Sequence, residues 1–539
     1  MAVKLDLADI QGNILIPYAK QGFFKGRNML FHIGDDKADA DANADAGRKF
    51  VTGLLPMITT ALPWPSAQPP KVAINIALTW YGLLALGVPT RTLRGMPDEF
   101  IDGMIKRAPM LGDDFKGKKW KDSWDEVWTK SGDSLGPNPN TVHILVTLNA
   151  QMDPLTGAAV PELNDITLEI EELARKNGVI TPLAGHNPPE RVPPRPYQDL
   201  SVIVTQEDGK YVPTPKEHFG FTDGISDPVF EGQYPNGDEQ ALAVGSGALD
   251  GKGNWRPLAT GEFLLGYPDE AQETPGATMP LDFSRNGTFM AYRKLHEDVA
   301  AFKNFLDKTA AQFSAFTGIQ SHEDARETVM AKMAGRWSDG VPLSLAPTVA
   351  EWDKFKSKLR EMPDQAAREA ALSNFSYHDD KEGIKCPLTA HMRRVNTRDM
   401  MDPTGEDGSV LNNRRRILRR GLPYVASPDD ADEHGIVMLI VCASLFRQFE
   451  FVQQQWINYG LDSRAGSDTC PIVGNHSDGT NKEQGPKAKF VIPADPASGH
   501  PPFIADGLPQ FVETRGGEYF FVPSMTALRM IGMGVVDPT

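Results

Sequence analysis

The sequence predicts an α+β protein, in which strands and helices alternate without the long run of strand–helix–strand units that a doubly wound sheet needs. Three observations carry this expectation. Short β-rich apolar runs stand at 28–34 (NMLFHIG), 72–78 (VAINIAL) and 141–148 (TVHILVTL). Segments of helical period follow at 165–176 and 294–313. Two late strand-to-helix pairings close the chain, 436–442 into 445–456 and 518–522 into 524–533.

Taken in order, the run at 72–78 leads into TWYGLLALG, a helix start with Gly87 as its stop. DITLEIEELARK at 165–176 is an amphipathic helix with Asp165 as its expected cap. Six prolines in the fifteen residues 182–196 exclude regular structure there and predict an extended connection. Leu295, Val299, Phe302, Leu306 and Phe313 keep a helical period over 294–313. The charged stretch 350–372 is expected as a helical surface insertion, within about 345–380. A chain of 539 residues is long for one core. The division expected is an N-terminal half, 1–230, and a C-terminal half, 231–539.

Composition narrows the function classes. Hydrophobic residues at 40% and charged residues at 23% describe a globular protein. A net charge of −16 argues against nucleic acid or an anionic membrane surface as a partner, because phosphates would be repelled. The N-terminus lacks the apolar core of a signal peptide, and no run of about 18 apolar residues occurs. The expected location is therefore the cytoplasm. Cys386, Cys442 and Cys470 form no CxxC pattern, which fits reduced thiols better than a zinc knuckle or a disulfide framework. HExxH, GxSxG and GxGxxG are all absent, so zinc hydrolysis, a serine elbow and a dinucleotide fold lack an anchor.

One region breaks the acidic trend. Between His391 and Arg420 stand eight arginines against four acids, Asp399, Asp402, Glu406 and Asp407. Such a stretch is either a solvated or RNA-binding basic face or a pocket for a ligand bearing carboxylates or phosphates, which guanidinium forks match bidentately. Haem has two propionates and needs an axial ligand, commonly histidine. His391 beside Arg393, Arg394 and Arg398 offers both kinds of group, although a lone histidine is more often structural than a ligand. A second segment, HFGFTDGISDP, holds Asp223 between Gly220 and Gly224. By itself it is either an Asp-Gly turn or a carboxylate held for chemistry on a tight backbone.

GFTDGISDP resembles the GxxDG signature of the dye-decolorising peroxidases. CPLTAHMRRVNTRD (386–399) is similar to their proximal-histidine segment and RRILRRGLPY (415–424) to their distal-arginine segment. Similar blocks continue in DIQGNIL (9–15), NGTFMAYRKL (286–295), GRWSDGVPL (335–343), FEFVQQQW (449–456) and RGGEYFFVPSMTALR (515–529). They span nearly the whole chain in the family's order, in the style of its longer fungal and bacterial branch. NTRD replaces the more usual NPRD, and LPYV lacks the customary glycine after tyrosine.

The resemblance implies two ferredoxin-like halves, each an antiparallel sheet with peripheral helices, and one haem b per chain bound mainly by the second half. It implies a peroxidase that uses hydrogen peroxide to oxidise dyes, phenols or other aromatic electron donors. His391 matches the proximal iron ligand, Asp223 the distal acid–base and Arg419, the first of its pair, the distal arginine. Arg394 and Arg398 are expected at the cofactor. Asp468 matches the acid that accepts a hydrogen bond from the proximal imidazole and raises its basicity. An aspartate, with an ordinary pKa near 3.9, remains a base in acid where a histidine would be protonated, so turnover is expected to favour acid pH. Trp456 matches a surface oxidation site of some members, but it shares a helical stripe with Leu445, Phe449 and Val452 and is equally a core residue. Met438 and Leu439 fall where apolar distal-pocket residues are expected, and core packing is equally consistent with them. The alternative function is a haem-binding or haem-transfer protein, which would need no distal acid–base pair.

Overall fold

Strand formation follows the β-branched and aromatic runs, and the strands close into one ten-stranded antiparallel sheet. The computed structural model describes residues 3–34, 39–64, 69–113, 120–131, 138–185, 195–234, 236–250, 252–401, 410–427, 430–476, 487–494 and 499–536. Most of the proline-rich connection, as well as Asp402, Glu406 and Asp407, lies outside the described residues.

The sheet strands are β1 (Lys25–Ile33), β2 (Val72–Leu78), β3 (Ile144–Ala150), β4 (Ile180–Leu183), β5 (Gln198–Ser201), β6 (Thr288–Glu297), β7 (Leu418–Arg419), β8 (Leu422–Ser427), β9 (Asp430–Cys442) and β10 (Val512–Val522). Their order is β7-β9-β6-β10-β2-β3-β1-β4, with β8 also on β9 and β5 on β1. The N-terminal strands pair in long registers, such as Leu30 opposite Leu145, and so do the C-terminal ones, such as Tyr292 opposite Leu439. The two sets meet at a single pair, Phe521 opposite Leu78. Each set is an antiparallel sheet with helices on it, the α+β architecture of two ferredoxin-like halves. No described helix is long and apolar enough to cross a membrane.

The helix expected from residue 294 begins later. Lys294–Glu297 complete β6 against β9 and β10, and the helix runs Val299–Thr317. Leu295 suits both periods, so the boundary is set by the cap: Asp298 accepts from the Ala301 amide, and Gly318 closes the far end in the left-handed region. The amphipathic helix likewise starts at Glu162, three residues before Asp165, which lies inside the first turn and caps nothing. The charged insertion forms two helices, Val349–Arg360 and Gln365–Ser373. The expected helix after β9 is there as π-helical turns, Leu445–Glu450 and Val452–Ile457.

Candidate active site

One cavity of about 280 Å³ collects His391, Asp223 and Arg419, three residues far apart in sequence. Its walls are mostly apolar, with Ile436, Met438 and Ile440 from β9, Phe449, Val452 and Ile457 from the π-helical segment, and Phe219 and Phe221. Side chains alternate across a strand, so the inward set on β9 is 436, 438 and 440. Met438 therefore lines the cavity, whereas Leu439 packs on the other side, in the core.

Asp223 sits on a turn whose backbone demands glycine. Gly220 and Gly224 have φ of +98° and +80°, a conformation that L side chains rarely adopt. The Asp223 amide donates to Pro215 O at 2.8 Å, and its Oδ1 accepts from the Gly224 amide at 2.6 Å. Arg419, on β7, donates from Nη2 to the same Oδ1 at 3.1 Å. Its neighbour Arg420 faces away, held by Asp227 at 2.9 Å and by the carbonyls of Asn13 and Ile14. Geometry thus separates the two arginines as the motif position does.

His391 opens the short helix His391–Val395. Its Nδ1 lies 3.3 Å from Cys470 Sγ, and its Nε2 makes no hydrogen bond among the described residues. Asp468, expected on this imidazole, is elsewhere: its carboxylate pairs with Lys489 at 3.5 Å and its carbonyl accepts from Arg394. An irregular loop puts position 470, two residues on, behind the ring.

The arginines expected at the cofactor also have other work. Arg394 spends its guanidinium on the carbonyls of Thr389, Trp456 and Asp468, and Arg393 pairs with Asp380 at 2.8 Å. Both anchor the histidine helix and neither lines the cavity. Arg398 is buried behind the wall, donating to the carbonyls of Ser373 and Phe375 and to Ser226 Oγ. The cavity wall itself carries Arg336, from GRWSDG, and Arg416. Neither was singled out from sequence, because composition gives the charge of an arginine and not the direction of its fork.

Arg336, Arg398 and Arg416 form a buried cationic group whose hydrogen bonds, among the described residues, go to backbone carbonyls and Ser226 Oγ and none to a carboxylate. Burial, then the neighbouring Arg398, pushes Arg336 down to about 9, and burial first takes Arg398 and Arg416 down to about 10. Arg336 Nε and Arg398 Nε are buried without a hydrogen-bond partner. Buried cations in this condition call for an anion. A mostly apolar cavity with one free imidazole nitrogen and, in Arg336 and Arg416, wall guanidinium groups that hydrogen-bond no carboxylate among the described residues fits a haem and its two propionates.

Two further acids, Glu217 and Glu297, line the cavity. Burial drives the Glu217 carboxyl up to about 7, against the amides of Phe219 and Phe221 that donate to it. Burial and then Glu217 itself push Glu297 well above the carboxylate range. Trp456 is 4% exposed, with its Nε1 donating to Asp462 at 3.1 Å, so it is part of the core rather than of the surface. Cys386, Cys442 and Cys470 are buried free thiols.

No family model matches the chain. In sequence it is similar to Peroxidase 2 of Mycetinis scorodonius, 27% identical over 98% of this chain and 88% of that protein. It is also similar to a dye-decolorizing peroxidase of Mycena epipterygia, 26% identical over 98% of this chain and 87% of that one. In fold it is similar to a dye-decolorizing peroxidase solved with 2,6-dimethoxyphenol, with a TM-score of 0.67 and 24% identity over 98% of this chain and 100% of the other.

Proposed function

We propose that this chain, similar to dye-decolorizing peroxidases along nearly its whole length, is itself a peroxidase that holds one haem b and reduces hydrogen peroxide at the expense of aromatic donors. The observation that carries the reading is the Asp223–Arg419 pair in the same cavity as the free Nε2 of His391. In this reading residues 1–230 contribute Asp223, and residues 231–539 contribute His391 and Arg419.

His391 Nε2 would hold the iron, and Arg336 and Arg416 would face the propionates. Bound haem supplies the site where peroxide is cleaved and stores the oxidising equivalents for the donor. The Asp223 carboxylate, through the oxygen that Gly224 and Arg419 leave open, takes the proton from the peroxide and returns it to the departing oxygen. Arg419 Nη2 holds the carboxylate in place and offsets negative charge as the O–O bond breaks. The apolar walls from β9 and the π-helical segment exclude water and strengthen both interactions. A haem-transfer protein would need no acid–base pair, and the directed contact of Arg419 with Asp223 favours the peroxidase. The test is peroxide-dependent oxidation of 2,6-dimethoxyphenol by the haem-loaded chain: turnover that Asp223→Asn removes supports the reading, and turnover that it leaves intact contradicts it.

A further inference from the structure

Position 391 has a partner that changes what its imidazole can do. We infer that Cys470 is the positioning residue of His391, its sulfur accepting the Nδ1–H hydrogen bond that aims Nε2 into the cavity. This rests on His391 being the haem ligand.

The contact is the 3.3 Å approach of Nδ1 to Sγ. A ring that gives Nε2 to a metal carries its proton on Nδ1, so the sulfur is the acceptor. Cys470 is held where it stands. Its amide donates to Ile457 O at 2.7 Å, and its carbonyl accepts from the Gly474 amide at 3.0 Å and faces His476 Nε2 at 2.9 Å. A Cβ on Gly474 would meet that carbonyl at 2.6 Å, so the turn needs glycine. Ile472 and Val473, two and three positions along, line the cavity, which brings the loop up behind the ring. The nearby carboxylate of Asp468 is engaged by Lys489.

The consequence is chemical. Sulfur is a weak acceptor, whereas a carboxylate partner makes a ligating imidazole more basic. With Cys470 in this place the imidazole gives less charge to the metal than it would beside an acid. The ferric state is then less favoured, and the resting potential lies higher.

The experiment loads haem into the full chain and into Cys470→Asp, Cys470→Ala and Cys470→Ser. It reads the ferric–ferrous midpoint potential and the iron–histidine stretching band of the ferrous form. The expected result is a lower midpoint and a higher-frequency band in Cys470→Asp, with a lower-frequency, broadened band in Cys470→Ala. Should the alanine chain not fold, Cys470→Ser carries the same test, its shorter hydroxyl giving a shift in the alanine direction. Wild-type values retained in every folded variant overturn the inference. So does a thiolate-type ferrous–CO spectrum in the wild type, which would make the sulfur itself the ligand. A wild-type chain that takes up no haem contradicts the proposed function instead.

Discussion

Arg419 Nη2 stands 3.1 Å from Asp223 Oδ1, although 196 positions separate them in sequence. The contact exists because β7 pairs with β9 while Asp223 is clamped on a turn between two left-handed glycines. Acid and cation are thus placed together before any peroxide arrives.

Asp223→Asn is expected to slow the reaction with peroxide by about 10²–10⁴-fold, the usual share of a positioned acid–base. Arg419→Leu should cost about 10²–10³-fold through lost charge stabilisation. Stopped-flow absorption of the haem-loaded variants checks both, and haem uptake should remain normal in each.

With the carboxylate of Asp223 as the proposed distal base, turnover should be fastest on the acid side of neutrality. A steady-state profile from about pH 3 to about pH 8 checks this, in the range where a histidine base would fail and a carboxylate would not. A maximum above about pH 7 would remove Asp223 from the role.

The buried acids make a separate prediction about stability. In the folded chain Glu217 is raised from its ordinary 4.5 to about 7 by burial, and Glu297 is raised as well. A raised carboxyl favours the protonated, folded form, so this contribution is complete below about 4.5 and is lost as pH climbs through about 7. Glu518, also raised to about 7 by burial, acts in the same direction. Thermal unfolding of the haem-free chain should therefore show Tm falling over that window, with a shallower fall in Glu297→Gln.

Arg336 and Arg394 are expected to part company. Arg336→Met removes a buried cation with an unpartnered Nε and should weaken haem affinity, with relief of the buried charge offsetting part of the cost of stranding the carbonyls of Gly340 and Leu372. Arg394→Met strands the carbonyls of Thr389, Trp456 and Asp468, and should cost stability, about 1–3 kcal/mol for each buried group left unpaired. Haem titration beside chemical denaturation separates the two effects.

The sequence pointed to His391, Asp223 and Arg419, which one cavity collects, because ordered blocks mark them and their types match their proposed tasks. It did not carry the direction of side chains. The arginine island was visible as charge, yet Arg393 and Arg394 hold backbone and a carboxylate while Arg336, from another block, turns to the cavity. Asp468 matches the acid that the family resemblance implies, but an irregular loop has no period from which to tell 468 from 470. On β9 a period was available, and strict alternation selects Met438 and excludes Leu439. The helix expected from 294 moved to Val299 because Leu295 satisfies a strand and a helix alike, and sheet pairing decided.

The most direct test of the site is a haem titration of the full chain, followed by absorption in the Soret region, with wild type and His391→Ala side by side. Expected are saturation at one haem per wild-type chain, a Soret band that hydrogen peroxide shifts, and loss of the histidine-ligated spectrum in His391→Ala. Identical spectra for the two proteins, or no saturable uptake by the wild type, would contradict that expectation.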